Sequence, residues 1–328
     1  MAAILDIAIF LPPDIISNEE IESKINYNGK PMESGFLGHL LGCKTRHFAS
    51  AGTQVSDLAS EAAKKIIEAN KDTSIDLLIF AAASSDLTEP ATANIIQHKL
   101  GLTCPVMDIK NACNSFVSAI HAASAFIESG IYQNILIAGG EKLSEVINYN
   151  PRDYEHLLKC LSAFGLGDAG AAMLIGKGSE RKLVYQKFCT WGEYWNLCTV
   201  EGGGSMAYRD MDKYYFEGDS RGLRDVFLTR GADFFSACMQ ESGWSVHDID
   251  CVVSHQVSSG SAALIAHKMG IPESKFVNTF SKYGNTAAVT ISLALQEAIN
   301  TGKLKKGDKL LLLGLAAGVS ISVQLIEW

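Results

Sequence analysis

Two stretches of this chain repeat one another in order, and that repetition constrains the fold more than any other feature. In the first half a helical pattern leads into IDLLIF from Ile75, then IIQHKLG, then VMDIKNAC. In the second half another leads into IDCVVSH from Ile249, then LIAHKMG, then FVNTFSKYGN. The spacings agree: 174 residues separate Ile75 from Ile249, 169 separate His98 from His267, and 172 separate Cys113 from Asn285. ILIAGG near Gly139 and LLLLG near Gly314 continue the series at 175. Self-similarity of this kind marks repeated structural units. We read two copies of one α/β unit, residues 1–176 and 177–328, packed about a pseudo-twofold axis.

Short apolar runs alternate with helical periodicity throughout, the pattern of an α/β layered fold. Strands are expected at Ala3–Phe10, Ile75–Ala82, Val106–Ile109, Ile135–Gly139, Ala171–Ile175, Leu183–Phe188, Cys251–Ser254, Leu310–Leu313 and Val319–Ile326. Helices are expected at Val55–Asn70, Ala91–Leu100, Asn114–Glu128, Leu223–Ser242, Ser261–Met269 and Thr286–Asn300. Glu201–Ser205 and the charged tract to Arg224 read as an extended loop.

Ligands of such folds gather at the carboxyl ends of strands. Cys113 stands there in the first half, after PVMDIKNA and before a helix, NSFVSAIHAASAFIES, that is apolar or small on every face and so central. The positive end of the helix macrodipole favours thiolate over thiol, which makes Cys113 the candidate nucleophile, with Asn285 as its mirror in the other copy. His255, in VVSHQVSS, follows a buried apolar strand, where an unpartnered imidazole would be costly. His98 and His267 sit at matching helix positions and read as fold; His39, His121, His156 and His247 read as surface or structural. The blocks FGLGDAGAAMLIG and GLAAGVSISVQL place small residues before closing strands, where backbone can approach backbone or ligand. Neither carries GxGxxG leading into a helix, nor GK[ST], so a nucleotide-binding reading fails at its own motif.

Composition closes off other classes. The 28 basic against 36 acidic residues leave a net charge of −8, with no basic excess to neutralise nucleic-acid phosphates. The eight cysteines form no CxxC pair, which argues against a zinc site or a disulfide framework and for a reducing, cytoplasmic setting. No stretch reaches the roughly 20 apolar residues of a membrane span, and the opening MAAILDIAIF reads as a strand.

Taken together and in order, GCKTRHFA, NACNSF around Cys113, FGLGDAGAA, SHQVS around His255, YGNTAA around Asn285 and GLAAG resemble the thiolase superfamily. Within it the match is to the β-ketoacyl-acyl-carrier-protein synthase III group, over nearly the whole chain. The resemblance implies a thiolase-like, five-layered αβαβα fold, internally duplicated, in a homodimer. It implies a catalytic set of Cys113, His255 and Asn285, with an oxyanion hole from the backbone N–H groups of Cys113 and Ala317. Cys113 would take an acyl group from coenzyme A or an acyl carrier protein. A malonyl or β-ketoacyl thioester would then condense with it, with no metal or redox cofactor. Biosynthetic thiolases need a second cysteine in the C-terminal glycine loop, and Gly314–Gly318 has none.

Departures from the pattern concern the substrate. Phe36 replaces a tryptophan that stacks on the coenzyme A adenine, and Glu89 an apolar residue that caps the partner subunit's acyl pocket. Two alanines tighten GLAAG, Ser258 stands for an asparagine, and Gly260 for a basic docking residue. Lys268 matches another basic docking position. With Phe164, Lys44 and Arg224, these residues are the expected substrate and carrier contacts. They point to a specialised synthase, of fatty-acid-like or polyketide type, rather than one priming fatty acids from acetyl-coenzyme A. Two rival readings remain open: acyl transfer to an alcohol or amine without decarboxylation, and a non-catalytic partner subunit on the same fold.

Overall fold

The computed structural model describes all 328 residues, Met1–Trp328. Nine strands build the main sheet: β1 (Ala2–Phe10), β2 (Leu77–Ala81), β3 (Val106–Ile109), β4 (Asn134–Glu141), β5 (Ala169–Lys177), β6 (Lys182–Thr190), β7 (Cys251–Ser254), β8 (Lys309–Ala316) and β9 (Ser320–Glu327). Their order is β7-β8-β9-β6-β1-β5-β4-β2-β3. Only one residue pair, Ala3 with Lys182, joins β1 to β6, so the sheet is two half-sheets hinged at that bond. Each half repeats one plan. The first strand of the motif pairs in parallel with the next (β2 with β4, β7 with β8), and an antiparallel strand follows (β5, β9). The counterpart of β3 is reduced to one bridge between Val252 and Phe276, so FVNTF forms no full strand.

Six helices complete the layers: α1 (Val55–Ala69), α2 (Thr92–Leu100), α3 (Ser115–Glu128), α4 (Ala232–Ser242), α5 (Ser261–Met269) and α6 (Thr290–Asn300). Alternation along the strands sorts side chains between layers. Leu77, Ile79 and Ala81 of β2 join Cys251 and Val253 of β7 in a central core with Phe116, Val117 and Ile120 of α3 and Ile291, Leu293 and Leu295 of α6. The intervening Leu78 and Phe80 face outward onto α1 and α2. Val252, Leu311 and Leu313 likewise face α4 and α5. The result is five layers, helix–sheet–helix–sheet–helix, with α3 and α6 as the shared middle.

Glycines let the outer helix close on the sheet. A Cβ on Gly170 would lie 1.9 Å from the Leu58 carbonyl oxygen, and one on Gly140 would lie 2.2 Å from that of Val55. The expected helix Leu223–Ser242 is instead Ser220–Val226, a π turn over Phe227–Gly231, and α4. No helix is long and apolar enough to cross a membrane. All eight cysteines are free thiols.

Candidate active site

Between β3 and α3 the chain makes a tight elbow. Ala112 is forced to φ +46°, a left-handed conformation that costs a non-glycine residue about 1–2 kcal/mol. The Ser115 hydroxyl stabilises the turn: it accepts the Asn111 N–H at 2.8 Å and lies 2.7 Å from the Ala112 carbonyl. Asn114 leaves the helix end uncapped and donates instead to Ser320, at 3.1 Å to the carbonyl and 2.9 Å to the hydroxyl, which ties the elbow to the other half. Cys113 is thereby presented partly exposed, and its N–H has no acceptor.

The second half contains the same elbow. Ala287 has φ +41°, and Thr290 accepts the Thr286 N–H at 3.2 Å, as Ser115 accepts that of Asn111. These pairs lie 175 apart, as do the first residues of α3 and α6. The counterpart of Cys113 is therefore Ala288, which corrects the expected pairing with Asn285. Asn285 sits three residues earlier, in the turn itself.

His255 follows β7, its N–H bonded to the Leu313 carbonyl at 3.1 Å. Burial pushes its imidazole from 6.5 down to about 4, so the ring is neutral at physiological pH. The Ala287 carbonyl beside the ring opposes this shift only in part, and neither ring nitrogen makes a hydrogen bond of ordinary geometry. Asn285 is held through its backbone by the glycine block: its N–H donates to Gly165 at 2.8 Å and its carbonyl accepts from Gly167 at 3.0 Å. Its side-chain oxygen accepts the Ala287 N–H at 2.9 Å, which leaves the amide nitrogen as a donor for a ligand.

The expected thiolate at Cys113 is corrected. Burial pushes the thiol up, and the neighbouring Glu141 and Cys198 add to the rise. Burial, with the Glu141 carboxyl at hand, outweighs the helix dipole, and Cys113 rests as a thiol.

Two residues that sequence reasoning passed over hold this arrangement. Gln256 accepts the N–H groups of Thr279 and Phe280 at 2.9 and 3.1 Å and donates to the Val277 carbonyl at 2.8 Å, joining the end of β7 to the segment that leads to Asn285. Glu141, wholly buried, accepts from the Ala83 N–H at 2.7 Å, the Ser84 N–H and hydroxyl at 3.1 and 2.7 Å, and the Ala288 N–H at 3.2 Å. Its one signal in the sequence is an acidic residue directly after a buried apolar run, in IAGGEK.

The remaining expected residues spread around this centre. Ala317 follows β8 and its N–H has no acceptor, like that of Cys113. Phe164 is fully buried in the cluster against which Cys113 packs. Phe36, Lys44 and Ser258 lie on or next to segments joined by backbone hydrogen bonds. Phe36 opens the short helix Phe36–Leu41, whose last carbonyl accepts the Ser259 N–H at 3.0 Å, and the Lys44 N–H donates to Ser281 at 2.9 Å. Glu89 lies on an exposed loop that begins at the Glu141 partners Ala83 and Ser84. Lys268 is exposed in the last turn of α5, about 12 Å along the helix from Gly260, and Arg224 pairs with its neighbour Asp225. Cys113, His255 and Ala317 thus follow the C-terminal ends of β3, β7 and β8, Asn285 lies in the turn that precedes α6, and Lys268 lies in the last turn of α5.

Comparison with known proteins agrees with this fold. A family model described as 3-oxoacyl-[acyl-carrier-protein] synthase III matches residues 107–191, and its C-terminal counterpart matches residues 239–328. The first spans Cys113; the second spans His255 and Asn285. A β-ketoacyl-[acyl-carrier-protein] synthase III of Neisseria meningitidis serogroup C is 30% identical over 323 residues, covering 97% of each chain. One from Koribacter versatilis is 28% identical, over 100% of this chain and 98% of its own length. Among solved structures, OleA of Xanthomonas campestris superposes with a TM-score of 0.90 at 26% identity, over 100% of this chain and 98% of that one. The 3-oxoacyl-[acyl-carrier-protein] synthase III of Aquifex aeolicus superposes with a TM-score of 0.86 at 25% identity, over all of both chains.

Proposed function

From the premise that this chain belongs to the 3-oxoacyl-[acyl-carrier-protein] synthase III family of condensing enzymes, we propose that it joins an acyl group held on Cys113 to a malonyl thioester with loss of carbon dioxide. One observation carries the reading. Cys113 stands on a strained elbow whose N–H, like that of Ala317, lacks an acceptor, while the second elbow, at Ala287, touches a neutral His255 and holds Asn285 with its amide nitrogen free.

In the first half-reaction the Cys113 sulfur attacks the carbonyl carbon of an acyl thioester. The neutral imidazole of His255 carries a lone pair that can receive the thiol proton. The carbonyl oxygen becomes an oxyanion, stabilised by the Cys113 and Ala317 N–H groups; one such donor is worth about 3 kcal/mol in the transition state. The carrier thiol leaves with a proton, and the acyl group stays on sulfur. In the second half-reaction the malonyl thioester oxygen is held by the Asn285 amide and His255. Its terminal carboxylate leaves as carbon dioxide, the electron pair forms the enolate, and that carbon attacks the acyl-cysteine. A carbon–carbon bond forms, the C–S bond to Cys113 breaks with its electron pair going to sulfur, the thiolate takes up a proton from solvent, and a β-ketoacyl thioester departs.

The thioester carrier is coenzyme A or an acyl carrier protein, received at the segments of Phe36, Lys44 and Ser258. The half-buried Phe36 ring offers an aromatic face to an adenine. A homodimer through β3 is supported by its place at the edge of the sheet, where one side of its ladder has no partner strand.

Intact-protein mass spectrometry with a panel of acyl-coenzyme A and acyl-carrier thioesters tests the reading. An acyl adduct is expected on the wild type and absent from Cys113→Ala, with malonyl thioester converting it to a product two carbons longer. Acyl transfer without loss of carbon dioxide, or full condensing activity in Cys113→Ala, overturns it. Analytical ultracentrifugation reads the dimer directly.

A further inference from the structure

The two elbows differ in what their N–H groups meet. At Cys113 the N–H is free; at its counterpart Ala288 the N–H donates to the Glu141 carboxylate. Glu141 ends β4, and the residue that ends β8 in the same place, 175 further on, is Ala316. A methyl group cannot fill the position that the Glu141 carboxylate fills. The fold therefore contains two related anion sites, one occupied by its own carboxylate and one left open beside the nucleophile.

The filled site reaches both other members of the catalytic set. The N–H of Ala288 belongs to the same peptide as the carbonyl of Ala287, which lies beside the His255 ring. One bond earlier, the Ala287 N–H holds the side-chain oxygen of Asn285. Because a trans peptide points its N–H and C=O in opposite directions, fixing the N–H fixes the carbonyl. Ala287 is itself strained at φ +41°, so its turn depends on such anchors.

We propose that Glu141 is a positioning residue of this site, holding the Ala287–Ala288 peptide so that His255 and Asn285 keep the orientations condensation requires. The inference rests on the reading of Cys113, His255 and Asn285 as the catalytic set. Glu141 has a second effect through charge. Burial raises the Glu141 carboxyl and the four hydrogen bonds it accepts oppose that rise; in its charged form it acts against ionisation of Cys113, the neutral His255 adding no counter-charge.

Glu141→Gln and Glu141→Asp separate the two effects. Glutamine keeps the length and removes the charge, and its amide sets two N–H donors among three backbone N–H groups that only donate and one hydroxyl. We expect alkylation of Cys113 by iodoacetamide at pH 9, read on its own peptide, to speed up about tenfold. Condensation kcat is expected to fall at least about tenfold, with acyl loading within about threefold of wild type. Aspartate keeps the charge but falls one methylene short of Ala288, so alkylation should stay near wild type while kcat falls. A folded Glu141→Gln with wild-type kcat overturns the proposal. If that variant does not fold, wild-type kcat in Glu141→Asp overturns it. Failure of the wild type to load any thioester refutes the catalytic reading instead, and the alkylation rates still report on the charge of Glu141.

Discussion

Replacing His255 by glutamine isolates the cost of keeping an imidazole neutral in the core. In the folded chain burial holds this ring at about 4, against 6.5 for the exposed side chain. Between those values the unfolded chain binds a proton that the folded chain refuses. Stability therefore falls as pH falls through this window, and above 6.5 the group contributes no pH dependence. The gap corresponds to about 3 kcal/mol once pH reaches 4, and to about 2 kcal/mol at pH 5. The ring is only 4% exposed, so solvent screening does not reduce these figures much. Urea unfolding at pH 7 and pH 5, on wild type and His255→Gln, supplies the assay. The seven other histidines and all carboxylates are common to both proteins, so the difference between the two pH responses reports on His255. The wild type is expected to lose about 2 kcal/mol more than the variant on going from pH 7 to pH 5. Equal losses would refute the argument, because they would mean that His255 titrates alike folded and unfolded.

Gly170→Ala sets a methyl 1.9 Å from the Leu58 carbonyl, which is backbone and cannot rotate away, so α1 must shift. A loss of about 1–3 kcal/mol is expected, seen as a lower melting temperature. Phe36→Ala is expected to raise KM about tenfold for acyl-coenzyme A and to leave acyl-pantetheine, which lacks the adenine, unchanged. Ala288→Cys in a Cys113→Ala background places a thiol on the second elbow, where the N–H is already taken by Glu141. No acyl adduct is expected on it by mass spectrometry; an adduct there would show that elbow geometry alone suffices.

The layers were legible because their strands are apolar runs bounded by turns, and the structure mostly lengthens them into flanking small or polar residues, as at Ala169–Gly170 and Gly140–Glu141. The break in the helix before Ser242 was not legible. A π turn adds a residue to one turn while apolar positions continue on both sides of it. The short elements Phe36–Leu41 and Thr45–Phe48 have too few residues for periodicity and are set by partners distant in sequence, such as Glu22, which accepts the Leu37 N–H at 2.7 Å. At the site, Cys113 was visible from its place between a strand and an apolar helix. Its ionisation was not, because the opposing groups come from Glu141 and Cys198, which only the tertiary fold brings near.

Duplication supplies the frame of this site, and three differences between the copies set its two elbows apart. Where one elbow carries Cys113 the other carries Ala288, so only one has a nucleophile. Where β4 ends in Glu141, β8 ends in Ala316, so the anion site beside the nucleophile stays open and the other is closed. Where β2 has Ala81, the matching position 174 residues on, after β7, has His255. Had Glu141 and Ala316 been exchanged, a carboxylate would take the oxyanion's place at Cys113 and oppose the charge that develops there. Two contacts at the site join residues of both halves: Glu141 holds Ala288, and Asn114 reaches Ser320. Neither half therefore holds a complete site, and the chemistry belongs to the contact between them.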